Sequence, residues 1–154
     1  MSFWRLHYHA VWACKYRQEL ITRDFEKELY GFLFTKANEL NAIVHQIGGT
    51  SDHIHIVYSQ APKYSISEFI GKIKGASSHW VTYVLQHPEP FDWQKGYGVL
   101  SFGDRHMQQV IDYVRYQKKH HRKRTIKPIM EKWSEDQANA RQIKDITDDD
   151  YYMF

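Results

Sequence analysis

Apolar and polar positions alternate between two periods along most of this chain. Phe3–Trp12 (FWRLHYHAVW) is rich in aromatic residues and sets His7 and His9 two apart, the repeat of a strand. Lys15-Tyr16-Arg17 follows as a basic turn. Thr22 stands where an N-cap is wanted, and Phe25, Leu29, Phe32, Leu33 and Leu40 recur at helical spacing over Arg23–Leu40. Asp24 and Glu26 occupy the first turn of that helix, as its dipole prefers. Asn41 ends it, and Ala42–Ile47 reads as a second strand. Gly48–Ser51 is a turn, and His53–Ser59 a third strand, so the short connection predicts an antiparallel hairpin. After Pro62 the helical period returns from Ser65 or Ser67 to about Gln86, with Ile66, Phe69, Ile70, Ile73, Trp80, Val81 and Val84 as its apolar stripe. His87-Pro88-Glu89-Pro90 stops it. Gly96–Phe102 is a short fourth strand. A third helix runs over Arg105–His120, with Met107, Val110, Ile111 and Val114 apolar.

The order β-α-β-β-α-β with an added C-terminal helix predicts an α+β fold of ferredoxin-like type, an antiparallel sheet with helices on one face. Residues 1–128 form the expected domain. Periodicity fades after Pro128, and residues 129–154 read as an acidic tail, either mobile or docking a partner. There is no internal repeat.

Composition narrows the setting. At 154 residues one domain with its own core is expected. No apolar run is long enough for a membrane span and no export signal is visible, so a cytoplasmic protein is expected. A single cysteine, Cys14, excludes an internal disulfide and reads as a small buried residue. The net charge of +3 is unevenly spread: 18 of the 21 Lys and Arg lie in residues 1–131, and the last 23 residues are net acidic. A basic body suits a polyanion.

The candidate chemistry centres on Asp52-His53-Ile54-His55-Ile56-Val57. On a strand His53 and His55 point to the same face, two imidazoles able to grip one cation. Tyr113 and Gln117 lie four apart on the last helix, one turn from each other. Tyrosine supplies a phenolic nucleophile, and glutamine a neutral oxygen for a hard cation. A metal held by His53, His55 and Gln117 would polarise a phosphate and neutralise its transition-state charge. Two basic patches adjoin these residues. Lys72, Lys74, Gly75, Ser77, Ser78 and His79 form a donor-rich stretch of the second helix. Lys118, Lys119, His120, His121, Arg122, Lys123 and Arg124 form a dense run just past the tyrosine. Phosphate contact is expected from Lys72, Lys74, Ser77, Ser78, Lys118, Lys119 and Arg122. Tyr116 is a competing nucleophile, about 60° off the Tyr113–Gln117 line at ~100° per residue. Asp52 either orients a histidine or closes a strand-edge turn. His120 and His121 either assist metal or phosphate or are solvated.

These residues carry a family resemblance. His53-Ile54-His55 is a histidine–hydrophobic–histidine motif, and Tyr113 is followed four residues later by Gln117. The segments HYHAVWACKYR, GGTSDHIHIV and IDYVRYQKKHH stand in matching order. Over roughly residues 3–121 the chain resembles the single-tyrosine HUH transposases, the TnpA-like enzymes of the smallest insertion sequences. It is also similar to their relatives acting on repeated extragenic palindromes. The resemblance implies DNA transposition on single-stranded hairpins with Mg²⁺ or Mn²⁺. The tyrosine attacks a backbone phosphate, forms a 5′-phosphotyrosine and frees a 3′-hydroxyl, and a 3′-hydroxyl later rejoins the strand. It implies Tyr113 as nucleophile and His53, His55 and Gln117 as metal ligands. It also implies a homodimer in which the histidines of one subunit meet the tyrosine helix of the other. Two other readings remain open at this point: a domesticated hairpin-binding protein that does not cut, and a phosphodiesterase using the two histidines as general acid and base.

Overall fold

The computed structural model describes residues 2–132. Four strands form one antiparallel sheet: β1 (His7–Ala13), β2 (Ala42–Gly49), β3 (His53–Gln60) and β4 (Gly98–Phe102), in the spatial order β2-β3-β1-β4. Helix α1 (Arg23–Glu39) joins β1 to β2, and α2 (Ile66–His79) joins β3 to β4. This is the ferredoxin-like α+β topology.

Local chemistry sets the element ends. Ser65 Oγ accepts the Glu68 N–H at 3.1 Å, so α2 starts on a Ser-x-x-Glu box. Thr22 holds the N-cap position of α1, but its side chain makes no capping bond. Asn41 adopts a left-handed φ of 60° and ends α1, a conformation asparagine tolerates better than most residues. Beyond His79 the helical path continues as a wider π-type turn over Trp80–Leu85 and stops at left-handed Gln86.

Both faces of the sheet are covered. Helices α1 and α2 lie on one face. There Phe25, Leu29, Leu33, Phe69, Ile70 and Ile73 pack on Ala10, Trp12, Ile54, Ile56 and Tyr58. The expectation of helices on one face holds for these two. The C-terminal helix crosses the opposite face, because Val110, Tyr113 and Val114 form an apolar ridge that seats on Val57. A bulge at His45 resets the alternation of β2, since Val44 faces Tyr58 while Gln46 already faces Val57. Gly48 thereby turns toward the C-terminal helix. A Cβ there would lie 2.0 Å from the Val114 carbonyl oxygen, so only glycine permits the approach.

The third helix is not continuous. A 3₁₀ turn (Asp104–His106) leads into α3 (Met107–Arg115), Tyr116 leaves the helical conformation at φ −103°, ψ 28°, and α4 (Gln117–Lys123) follows. Tyr113 and Gln117 are thus one on each side of a break, and the single helix expected over Arg105–His120 is corrected to two. After left-handed Arg124 the chain turns back. Residues 125–132 return across the sheet as a strap ending in a 3₁₀ turn (Pro128–Glu131) with Met130 buried. Residues 129–132, where the acidic tail was expected to begin, pack on the domain; the rest of the tail lies outside the described residues. Cys14 is buried, and burial pushes its thiol up to about 12, so it stays protonated.

Candidate metal centre and nucleophile

The alternation of β3 brings His53 and His55 to the face covered by α3, with their rings 5.1 Å apart. Both are fully buried. An imidazole offers one ring nitrogen to a cation only if the other is tied down. His53 Nδ1–H donates to Asp52 Oδ1 at 2.6 Å, and Thr50 Oγ1 lies 2.9 Å from the same nitrogen. Asp52 is anchored in turn by the Thr50 hydroxyl at 3.0 Å and by Arg17 at 3.1 Å. Partial burial opposes its ionisation, but His53 and Arg17 together hold its carboxyl down to about 2. Asp52 therefore orients a histidine, the first of the two roles open to it from sequence.

His55 has a different support. Val11 of β1 pairs with His55, and His9 with Val57, so His9 is the diagonal neighbour of His55. Its Nε2 lies 2.7 Å from His55 Nδ1, with the rings stacked at 5.0 Å. Burial, then the neighbouring imidazole, lowers the pKa of His9 well below its ordinary value, so it is neutral and can accept the His55 Nδ1–H. Burial lowers that of His55 as well, against the pull of Glu131. Each motif histidine therefore keeps Nε2 for the space between the sheet and the C-terminal helices.

Four donor groups meet in that space: His53, His55, His121 and Glu131, with candidate ligand atoms all within 4.8 Å of one another. Glu131 Oε1 accepts the His121 Nε2–H at 2.7 Å. Its Oε2 lies 2.9 Å from His55 Nε2, and neither of those buried atoms achieves hydrogen-bond geometry. A carboxylate oxygen and a ring nitrogen face each other there at a spacing that one shared cation could serve. The three histidines hold the Glu131 carboxyl far below the usual carboxylate range, despite its burial. The residues present fit a divalent metal.

Tyr113 stands beside this cluster in the same chain. Its ring is 6.1 Å from that of His55, and it is 3% exposed. Its phenolic oxygen accepts the Lys127 N–H of the strap at 3.0 Å. Burial, then the charge of Glu131, pushes its pKa upward. Gln117 is buried, but its amide nitrogen donates to the Tyr113 carbonyl at 3.3 Å and its Oε1 lies 3.1 Å from His121 Nε2. Gln117 thus faces a histidine of the cluster. Tyr116, the competing phenol, is half exposed and points away, with Lys119 above its ring.

The expected DNA contacts divide between the faces. Lys118, Lys119 and Arg122, with Arg115, Tyr116 and Tyr30, line a groove of about 370 Å³ beside Gly48 and Gly49. Lys118 Nζ bonds the Glu26 carboxylate and the Gly49 carbonyl, the latter at 3.1 Å. The α2 residues sit on the opposite face of the sheet, and two have structural duties. Ser77 is fully buried, accepting the Trp93 Nε1–H at 2.8 Å and donating to the Lys74 carbonyl. Lys74 Nζ donates to the carbonyls of Gln94 and Gly96, both at 2.7 Å. Ser77 is corrected from a DNA contact to a core residue, and Lys74 braces the loop before β4. Lys72 pairs with Glu68 at 3.6 Å over the Tyr64 ring, and Ser78 Oγ donates to the Gly75 carbonyl.

Sequence reasoning passed over His9 and Glu131 as functional residues. His9 was visible as part of an alternating pair in β1. Glu131 is the one acid between Lys118 and Lys132.

Known proteins resemble the chain along most of its length. The family model described as IS200-like transposase matches residues 2–117. The ISDra2 transposase TnpA of Deinococcus radiodurans is 26% identical over 121 residues, covering 74% of this chain and 85% of its own. The transposase for insertion sequence element IS200 of Salmonella typhimurium is 27% identical over 119 residues, covering 74% and 78%. Among solved structures, a Deinococcus radiodurans protein described as a transposase superposes with a TM-score of 0.59 at 24% identity, over 75% of this chain and 93% of its own. A REP-associated tyrosine transposase bound to a REP hairpin gives 0.60 at 12% identity, over 79% and 74%. At these identities the two solved structures speak for the fold.

Proposed function

The chain belongs to the family of IS200-like transposases, and from that premise we propose that it cuts and rejoins single-stranded hairpin DNA through a covalent tyrosine link. Tyr113 Oη attacks a backbone phosphorus, and the bond to the 3′-oxygen breaks. The phenolic proton is given up, the leaving oxygen takes one, and the products are a 5′-phosphotyrosine and a free 3′-hydroxyl. Attack by a 3′-hydroxyl reverses the step and joins the strands. No nucleotide cofactor is required, since the link conserves the bond.

His53 and His55 would hold Mg²⁺ or Mn²⁺, with Gln117 beside them. When bound, the ion supplies positive charge against the phosphate oxygens and against the phenolate. The protein's own residues do the positioning. Asp52 and His9 fix the two ring tautomers, Val110 and Val114 seat α3 on the sheet, and Gly48 lets that helix come close. The groove lined by Lys119, Arg122 and Tyr116 offers cations and an aromatic face to a single strand. The Lys127 N–H of the strap holds the Tyr113 phenolic oxygen, so that one contact must give way when a phosphate reaches the phenol.

One observation carries this reading: the phenol of the last helix and the histidine pair of the sheet stand together, 6.1 Å between rings, within one protomer. We therefore place the reacting groups in a single subunit, and a homodimer that exchanged the tyrosine helix would rebuild the same neighbourhood across its interface. Labelled hairpin DNA, protein and Mn²⁺ resolved on a denaturing gel test the chemistry. Wild type is expected to give a protein–DNA adduct and Tyr113→Phe none. Adduct at normal yield from Tyr113→Phe would assign the nucleophile elsewhere, a bare complex would mark a binder, and hydrolysis without adduct a phosphodiesterase. Mixing Tyr113→Phe with His55→Ala is expected to leave the adduct absent. Its return would put the two groups on different subunits.

A further inference from the structure

The metal-binding residues expected from the sequence motif are His53, His55 and Gln117. The side chains that converge are His53, His55, His121 and Glu131. Resting on the metal-dependent reading above, we propose that His121 and Glu131 are ligands of the ion, and that the site prefers transition-series divalent cations to Mg²⁺.

The argument begins with Glu131. It comes from the strap, sixteen residues beyond the end of the tyrosine helix α3, and its carboxylate is nine-tenths buried. A lone carboxylate there would be costly unless compensated. Its two oxygens are turned to different imidazoles, Oε1 to His121 at 2.7 Å and Oε2 to His55 at 2.9 Å, with His53 Nε2 at 3.9 Å. Donor atoms sharing one ion with bonds near 2.1 Å stand about 3–3.5 Å apart. To meet that spacing the two short pairs, at 2.7 and 2.9 Å, open slightly and the wider ones, within 4.8 Å, close.

Gln117 is placed differently. Its Oε1 is directed at His121 Nε2, 3.1 Å away, and it joins α4 to the Tyr113 carbonyl through its amide nitrogen. It acts as a positioning residue for His121. For His121 to serve the ion, its ring proton would move through solvent from Nε2 to Nδ1, leaving the Nε2 lone pair for the metal and the imidazole neutral.

Three imidazoles and one carboxylate form a nitrogen-rich set. Such ligands favour Mn²⁺, Co²⁺ and Zn²⁺ in rising order of affinity, whereas Mg²⁺ favours oxygen and water. The strap is then tied to the metal at Glu131 and to the phenol at Lys127, so the ion would hold Tyr113 and its cover together.

Metal-stripped full-length protein titrated with Co²⁺, Zn²⁺ and Mg²⁺, without DNA, tests this. Calorimetry is expected to show Co²⁺ and Zn²⁺ binding at least 100-fold tighter than Mg²⁺. Glu131→Gln and His121→Ala should each weaken Co²⁺ tenfold or more and shift its visible absorption, and Gln117→Ala should weaken it less than either. Unchanged or tighter Co²⁺ binding by Glu131→Gln would make Glu131 a counter-charge that the ion displaces and overturn the proposal. Unchanged binding by His121→Ala would overturn it equally. A readout on the unmutated protein guards against variants that fail to fold. The Co²⁺ form should show three paramagnetically shifted exchangeable imidazole N–H signals, and two would exclude His121. The gel assay separates this proposal from the one beneath it. Adduct formation with Co²⁺ binding that ignores Glu131 sinks only the ligand set. Binding by all four residues with no adduct sinks only the transposition chemistry.

Discussion

The two faces of β3 follow different rules. Ile54, Ile56 and Tyr58 face α1 and α2, fully buried in a continuous apolar cluster. His53, His55 and Val57 face α3 and the strap, equally buried, but only Val57 meets an apolar ridge. The first face is closed by regular helices whose apolar stripes supply the burial energy, about 25 cal/mol per Å². The second is closed by a short helix, a broken one and an irregular strap, and it is held by polar pairs: Asp52–His53, His9–His55 and His121–Glu131. One face gives the molecule its stability, and the other uses that stability to keep polar groups dry and fixed. Burial by itself therefore says little about a residue's role here; its partners say more.

The largest effect should come from cutting into the apolar face. Ile56→Ala removes a fully buried side chain and should cost about 2–5 kcal/mol, read as a lower midpoint in urea. Adduct yield per folded molecule should stay near normal below the unfolding transition. A large loss of yield in a protein still fully folded would mean that the two faces are coupled. Next comes Gly48→Ala, which tests the seam between them. The added Cβ would push on the Val114 carbonyl, so α3 must shift, at about 1–3 kcal/mol. Unlike Ile56→Ala it should also depress adduct formation, because Tyr113 rides on the same helix.

The apolar face was legible in the chain because its code is periodic. Two-residue alternation gave β1 and β3, and helical spacing gave α1 and α2 nearly to their ends. That His53 and His55 share one face of β3 was legible for the same reason, whereas Tyr113 stood out by its spacing to Gln117 and by the family resemblance. His9 was not, since its role depends on β1 lying beside β3 with Val11 opposite His55, a register that only the folded sheet sets. Glu131 was not, since it lies on a strap without any repeat. Its signal was a single acid in a basic run, next to Ile129 and Met130 at a point where solvated residues would be expected. The break at Tyr116 was hidden because the apolar pattern of α3 ends just before it.

A smaller effect separates orientation from ligation on the polar face. Asp52→Asn keeps size and leaves an acceptor at Oδ1 while removing the charge that steadies His53. Partners of this kind typically contribute about 10–100-fold to metal affinity. Calorimetry with Mn²⁺ should show a loss within that range, with little change in the thermal midpoint beyond the lost Arg17 pair, which is half exposed. A loss as complete as that of His53→Ala would mean that Asp52 touches the ion itself.

The smallest expected effect on function belongs to Ser77, and it asks whether the apolar side also meets DNA. Ser77→Ala leaves the Trp93 indole N–H without its acceptor in a buried place, which should cost about 1–3 kcal/mol of stability. Hairpin affinity and its dependence on salt should be those of the wild type, because the side chain is fully buried on the α2 side of the sheet. Lys119→Ala and Arg122→Ala should each weaken binding and flatten the salt dependence, since each removes a cation from the groove beside α4. Suppose instead that Ser77→Ala, shown by circular dichroism to be folded, loses hairpin affinity while Lys119→Ala does not. DNA would then run over α2, and the division of labour between the two faces would have to be drawn the other way round.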